Sequence, residues 1–382
     1  MLNSACRPTE HKRYTTVVLK NAVSENLQRQ VSITLRRKED TRNNCRSASP
    51  ALFQTSGSAC EAAIAECNAF LKIVRPSPAK IPLKRKGLPH LRKHAINMKI
   101  NKHTHILIVG LGVMGGSYAK ALSSQGILAD CITLSQEDLD AALREGLIAS
   151  GSTEPDPVII GRAELIIFAL YPHIFMDWVK NYQQFFRPGV LITDVTGVKG
   201  HVVETVQSLL RPDAEFIPAH PMAGREGGGF SYADSRVFCG ANYIVTPTEK
   251  NTQEAIETAK ELGRVLGFTR ISELSVRQHD EMIGFLSQLT HCIAVTLMTC
   301  TDCTHLEAYT GDSFRDLTRI ARINDVMWTE LFLLNRDVLL EDMDLFSREF
   351  ARLRSMLENG DAEGMRSMMR EATRRRALFD KK

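Results

Sequence analysis

The sequence predicts an α/β protein with an all-helical second half, and three observations carry that prediction. Short apolar runs alternate with helical segments from Thr104 to about Ser275. A glycine-punctuated turn, Gly110-Leu111-Gly112-Val113-Met114-Gly115, follows the first of those runs and opens the first helix. Beyond Ser275 the strand signal stops, and apolar residues recur at three- and four-residue steps. Together these divide the chain into a Rossmann-type dinucleotide-binding domain at 104–275 and an all-α helical domain at 276–378.

Ahead of both lies a leader, residues 1–97, with no sustained helical or alternating period. It holds 18 Lys and Arg against 6 Asp and Glu, while the rest of the chain holds 30 against 38. The net charge of +4 therefore hides a basic leader on an acidic body, and it is no nucleic-acid signal for the whole protein. The leader is expected to be disordered, apart from a short amphipathic helix at 59–74 before a linker-like basic run at 75–86. Its composition also resembles an organelle transit peptide. Met98, directly before the first organised strand, favours an upstream extension of a protein that functionally starts there.

Nine cysteines are scattered at 6, 45, 60, 67, 131, 239, 292, 300 and 303. The lone CxxC, Cys300 to Cys303, has no second pair to complete four ligands, so no metal site is expected. Odd, scattered cysteines suit reduced thiols and a cytoplasmic protein. No apolar run approaches the roughly 18–20 residues that span a bilayer, so neither a membrane nor a nucleic acid is an expected partner.

Ile106–Val109 reads as the first strand, 119–125 as a helix stopped by Gly126, and 131–134 as the second strand. Two successive strand–helix steps imply a parallel sheet. The runs at 165–170, 190–195, 215–219 and 243–245 are short and bounded by Pro, Gly or Asp, as buried strands are; 253–266 reads as a helix. In the second half, 326–357 reads as one long helix and 362–378 as the last, with Asn359-Gly360-Asp361 ending one and capping the next. Leu331, Phe332, Leu334, Val338, Leu339 and Phe346 cover more than one face of the long helix. Such a helix is buried in a bundle or a subunit interface, which predicts an obligate homodimer.

In the glycine turn, Gly110 permits the tight bend, Gly112 lets backbone approach a pyrophosphate, and Gly115 lets helix and strand pack closely. The helix N-terminus adds free N–H groups and partial positive charge for the phosphates. An acid usually ends the second strand and binds the adenosine ribose; here Thr133 and Ser135 stand in that place, with Glu137 and Asp138 opening the next helix. Without the acid a 2′-phosphate is not repelled, and no arginine stands there to attract one. The cofactor is therefore NAD or NADP.

His220, after the 215–219 run and inside the loop Ala219-His220-Pro221-Met222-Ala223-Gly224, has glycines beside it to admit a ligand. An imidazole with an ordinary pKa near about 6.5 can take a hydroxyl proton as hydride leaves the same carbon. In the helical half Arg315 and Arg319 lie one turn apart, and paired arginines facing a cleft bind carboxylates bidentately. His291, on a mostly apolar helix, reads by itself as a core histidine.

Taken as a set, these motifs resemble the prephenate/arogenate dehydrogenase family of tyrosine biosynthesis, from about Thr104 to Leu378. The carrying segments are Gly110–Gly115, Asp194-Val195-Thr196-Gly197-Val198-Lys199, His220-Pro221-Met222-Ala223-Gly224, Phe314-Arg315-Asp316-Leu317-Thr318-Arg319-Ile320, and Met327-Trp328. The resemblance implies oxidative decarboxylation of prephenate to 4-hydroxyphenylpyruvate, or of arogenate to tyrosine. It implies that His220 deprotonates the ring hydroxyl, that Arg319 binds a substrate carboxylate, and that His291 and Glu226 line the pocket. Two positions depart from the family pattern: Gly197 replaces a frequent serine, and Gln288 replaces the first histidine of a Ser-His-x-x-His motif. Competing readings are a two-domain hydroxyacid dehydrogenase with Lys199 as base, and a non-catalytic NADP-binding sensor.

Overall fold

A computed structural model describes residues 99–224, 227–302 and 304–380. The leader, with its proposed helix at 59–74, and the positions of Glu226 and Cys303 lie outside the described residues.

The first strand β1 (Ile106–Val109) shows why a parallel sheet forms. Ile106 and Ile108 pack into one apolar layer, Leu107 and Val109 into the other, so both faces are covered. Helix α1 (Val113–Ser124) leads to β2 (Ala129–Ile132), α2 (Gln136–Arg144), β3 (Ile148–Ser152), α3 (Pro157–Arg162) and β4 (Leu165–Phe168). Then come α4 (Pro172–Tyr182), β5 (Leu191–Asp194), α5 (Gly200–Leu209) and β6 (Glu215–Phe216). All six strands are parallel, in the order β3-β2-β1-β4-β5-β6, the doubly wound arrangement whose crossovers put helices on both faces. Tyr118 and Leu122 of α1 fill one layer; Phe175 and Trp178 of α4 pack on Phe168 in the other.

The apolar run 215–219 is not one strand. Pro218, which has no N–H to give a ladder, interrupts it. β6 stops at Phe216, and β7 (Ala219–Pro221) pairs antiparallel with β8 (Asn242–Val245) in a second sheet of order β7-β8-β9. Helix α6 (Gln253–Val265), capped by Thr252, joins β8 to β9 (Arg270–Glu273). The second strand also ends earlier than predicted, leaving Thr133 beyond its tip.

A capping box at Ser275, closed by Gln278, starts the helical part. Helix α7 (Val276–Ile283) runs through a π turn (Gly284–Gln288) into α8 (Leu289–Thr299). By length and composition this rod, whose most apolar 18-residue stretch has mean hydropathy 1.4, passes as a membrane-crossing helix, as the core helix of a soluble protein also can. Three buried polar side chains on it, His279, Asp280 and Gln288, are hydrogen-bonded to the surrounding protein. After α9 (Asp312–Thr318) and a 3-10 turn (Arg319–Ala321) come α10 (Asp325–Leu334), α11 (Arg336–Glu358) and α12 (Ala362–Arg376).

The helix predicted at 326–357 is thus two helices. Asn335 breaks it, with φ −117° and ψ 26°. Its side-chain amide donates to the Asp280 carbonyl (3.0 Å) and to Gln288 Oε1 (2.7 Å), while Gln288 Nε2 donates to the Leu331 carbonyl (2.9 Å). An asparagine whose amide finds tertiary partners leaves helical geometry readily. Gln288 is therefore spent on bracing this break against the π turn.

Candidate active site

Site construction begins with a buried ion pair at the carboxyl end of β5. Lys199 Nζ, fully buried, donates to Asp194 Oδ2 (2.7 Å), to the Ala219 carbonyl (2.6 Å) and to Thr196 Oγ1 (3.2 Å). Asp194 Oδ1 accepts from the Ala219 N–H at 3.1 Å, and its other oxygen takes the Thr196 hydroxyl. Both backbone groups of Ala219 are thereby pinned, and the next residue is His220. An ammonium has three donors, and all three are in use, so Lys199 has none left for a substrate and is a poor general base. Burial pulls its pKa down, while Asp194 pulls it back up.

His220 sits in β7, half-buried, opposite Ile244 of β8. Its Nδ1 lies 2.9 Å from Nε2 of His279, whose own Nδ1 lies 2.7 Å from Asp280 Oδ1. Asp280 in turn accepts from two N–H groups at the start of α5, Lys199 N (2.9 Å) and Gly200 N (2.7 Å). A helix N-terminus of this kind favours an anion. A Cβ on Gly200 would come within 3.1 Å of Asp280 Oδ2, so glycine there permits the close approach. Burial is the main force holding the pKa of His220 well below the usual histidine value, aided by His279 and the Lys199 charge. His279 is lowered too, chiefly by burial and against the pull of Asp280. His279 and Asp280 were not identified from the sequence, because an adjacent His-Asp pair on a helix carries no local signal; its partner is 59 residues away.

The glycine turn fits a dinucleotide. Gly110 has φ +96°, and a Cβ there would strike the Ala169 carbonyl at 2.5 Å. A Cβ on Gly115 would lie 1.8 Å from the Gly110 carbonyl oxygen, so only glycine lets α1 start this close to β1. At Gly112, the N-cap of α1, a Cβ would meet nothing within 4 Å, so open space lies where a pyrophosphate would approach the helix N-terminus. Leu111 is buried beneath the turn, while Val113 and Met114 are half-buried. At the tip of β2, Thr133 is nearly buried, and Ser135 caps α2 by accepting from Asp138 N at 3.1 Å. The Ser135 O–H remains available to donate. Asp130, the acid inside β2, is taken by Arg162 through two bonds of 2.8 and 2.6 Å.

On α8, beyond the π turn, His291 Nδ1 lies 2.8 Å from the Ser287 carbonyl, and its ring packs on Trp328 with centroids 3.7 Å apart. A carbonyl only accepts, so Nδ1 carries the proton and Nε2 is an acceptor. The charge of Arg319, in the adjoining 3-10 turn, adds to burial in lowering the His291 pKa. Arg315 is exposed, as Arg319 is, and it bonds Asp312 Oδ1 and the Thr310 carbonyl, each at 3.2 Å. Gly197, where a serine is frequent, faces Leu331 of α10, whose methyls would sit 3.6 Å from a Cβ. Among the described residues no three His, Cys, Asp or Glu side chains gather as a metal would require.

Comparison with known proteins agrees with this geometry. A family model described as "Prephenate dehydrogenase, nucleotide-binding domain" matches residues 118–269, and "Prephenate dehydrogenase, dimerization domain" matches 275–371. A prephenate dehydrogenase of Bacillus subtilis is 30% identical over 274 residues, covering 68% of this chain and 72% of that protein. A cyclohexadienyl dehydrogenase of Zymomonas mobilis is 27% identical over 282 residues, covering 71% and 94%. Among solved structures, prephenate dehydrogenase from A. aeolicus, in complex with hydroxyphenyl propionate and NAD+, superposes with a TM-score of 0.68 at 26% identity, over 74% of this chain and 100% of that one. A nucleotide-binding sheet with its glycine turn, a histidine clamped in the smaller sheet beside it, and a helical part matched by the dimerization model meet in one chain, which belongs to the prephenate dehydrogenase family.

Proposed function

We propose that this oxidoreductase converts prephenate to 4-hydroxyphenylpyruvate and carbon dioxide with NAD or NADP, in tyrosine biosynthesis, as a cytoplasmic homodimer. The observation that carries the reading is His220: its backbone is held through Ala219, its Nδ1 is engaged inward, burial holds its pKa low, and among the described residues its Nε2 has no partner. A nicotinamide held by the glycine turn would supply the acceptor for the hydride of the ring carbon that bears the hydroxyl.

His220 Nε2 takes the hydroxyl proton as that carbon is oxidised. Loss of the ring carboxylate as carbon dioxide sends its C–C electron pair into the ring, which becomes aromatic. The ring oxygen then recovers the proton from His220, so no net proton is released. Lowering the imidazole pKa suits the first transfer, because the base is neutral at pH 7 without prior deprotonation. Arg319 supplies the charge for the substrate's other carboxylate, His291 offers an acceptor beside it, and Trp328 gives an apolar wall. Gly110, Leu111, Gly112, Val113, Met114 and Gly115 hold the pyrophosphate; Thr133 and Ser135 meet the adenosine ribose. With Asp130 held by Arg162 and hydroxyl side chains at that tip, both cofactors are admitted.

The test is reduced-nicotinamide absorbance with the purified protein, pairing prephenate or arogenate with NAD or NADP. Turnover with prephenate is the expected result. Silence in all four mixtures, with cofactor binding retained, would replace the enzyme by a non-catalytic NADP-binding sensor.

A further inference from the structure

Resting on His220 as the base, the geometry assigns His279 and Asp280 as positioning residues that fix the tautomer of His220, making its substrate-facing Nε2 the lone-pair atom.

The argument is one of donor counting. Asp280 sits between two backbone N–H donors at the start of α5 and can only accept from His279. The shared proton of the 2.7 Å contact therefore belongs to His279 Nδ1. A neutral His279 then has a bare Nε2, which must receive a proton across the 2.9 Å contact with His220 Nδ1. His220 carries its proton on Nδ1, and Nε2 is left with the electron pair that abstracts the hydroxyl proton. A doubly protonated His279 would reverse the order, turning His220 Nδ1 into the acceptor and Nε2–H into a donor, useless as a base. Complete burial of the His279 ring opposes that state. An isolated neutral imidazole carries its proton on either nitrogen, so the choice must be made by a partner.

The chain also explains two features that no role in cofactor or substrate binding requires. A Cβ on Gly200 would crowd the Asp280 carboxylate at 3.1 Å, so glycine there keeps the carboxylate in place. Asn335 donates to the backbone carbonyl of Asp280, holding the rod's first turn against the helix break. When His220 gains the substrate proton, its cationic ring faces a neutral acceptor backed by a carboxylate, an arrangement that stabilises the developing charge.

The experiment uses the full-length protein with nitrogen-15 histidine, reading the two-bond proton–nitrogen correlations of His220 at neutral pH. The expected pattern is the Nδ1–H tautomer in the wild type, shifting toward Nε2–H in His279→Leu. Kinetically, His279→Leu lowers kcat by about 10²- to 10⁴-fold, with KM for substrate and cofactor within about threefold. His279→Gln, which keeps an acceptor and a donor on one side chain, recovers part of that loss. Finding Nε2–H on wild-type His220 overturns the assignment even if no variant folds, and so does an unchanged kcat in a folded His279→Leu. The spectrum needs no substrate, so a correct tautomer without turnover would sink the proposed reaction and leave the positioning chain standing. Turnover with the wrong tautomer would do the reverse.

Discussion

At the scale of single residues, the chemistry is concentrated in one imidazole. His220→Asn keeps the size and polarity of the side chain while removing the base. It should lower turnover by about 10²- to 10⁴-fold with cofactor affinity unchanged, which a single-turnover assay beside a cofactor titration measures. The pH dependence follows from the depressed pKa. Because burial, His279 and Lys199 keep His220 neutral, kcat/KM should stay level through neutrality and begin to fall only below the ordinary histidine value of about 6.5. A decline starting well above that pH would show that another group is the base. Stability carries the same sign. His220, His279 and His291 are all lowered in the folded state, so below about 6.5 the unfolded chain takes up protons first and the fold loses stability as pH falls. Initial rates must therefore be separated from acid unfolding. His220 was legible in the sequence because its proline- and glycine-flanked loop is unusual after an apolar run. His279 was not, since nothing in Arg277-Gln278-His279-Asp280 distinguishes it from an exposed helical turn until β7 is brought alongside. Arg315 and Arg319, equal in sequence, fall in different elements, Arg315 inside α9 and Arg319 at the start of the 3-10 turn.

Among the elements, the strand–turn–helix at 106–124 shows three glycines doing three different jobs. Gly112→Ala places a methyl in open space, so the protein should fold normally, melting close to the parent, while KM for the cofactor rises by about 10–10²-fold. Gly115→Ala drives the same methyl to 1.8 Å from a backbone oxygen that cannot move without breaking the turn, so folding itself should suffer. Calorimetry with cofactor titration separates the two variants. Equal cofactor affinity in Gly112→Ala and the parent would show that the pyrophosphate does not pass over this turn. Strands whose residues are buried on both faces, such as β1 and β4, were readable as continuous apolar runs. β3, Ile-Ala-Ser-Gly-Ser, and β9, Arg-Ile-Ser-Glu, went unread because they lie at sheet edges and carry polar residues. The break at Asn335 went unread for another reason: the apolar period continues through it, and what stops the helix is an amide bonded to residues 47 and 55 positions earlier.

For the whole molecule, the question is what covers the helical half. Along α11, Met343, Phe346, Phe350 and Leu357 recur at three-, four- and seven-residue steps, and Phe350 and Leu357 are 63% and 69% exposed. The stripe continues from Leu339, which is buried within the chain, so the same helix face passes from the protomer's own core to solvent. Leu333 on α10 and Phe285 on the π turn add to the exposed apolar surface. Soluble monomers rarely leave so much contiguous apolar surface bare, and the family model matched here is a dimerization domain. Pairing of two copies through this face would bury it, on the scale of about 1,200–2,000 Å² or more for a stable interface. Phe346→Asp combined with Phe350→Asp places two carboxylates in that interface without touching the nucleotide-binding sheet. Light scattering should report twice the 42.7 kDa chain mass for the parent and a single chain for the variant. Because Phe346 and Phe350 are exposed in the protomer, the variant's nucleotide-binding half should keep its cofactor affinity. A parent protein that scatters as a monomer at micromolar concentration would remove the dimer from the account and leave the exposed stripe without a partner.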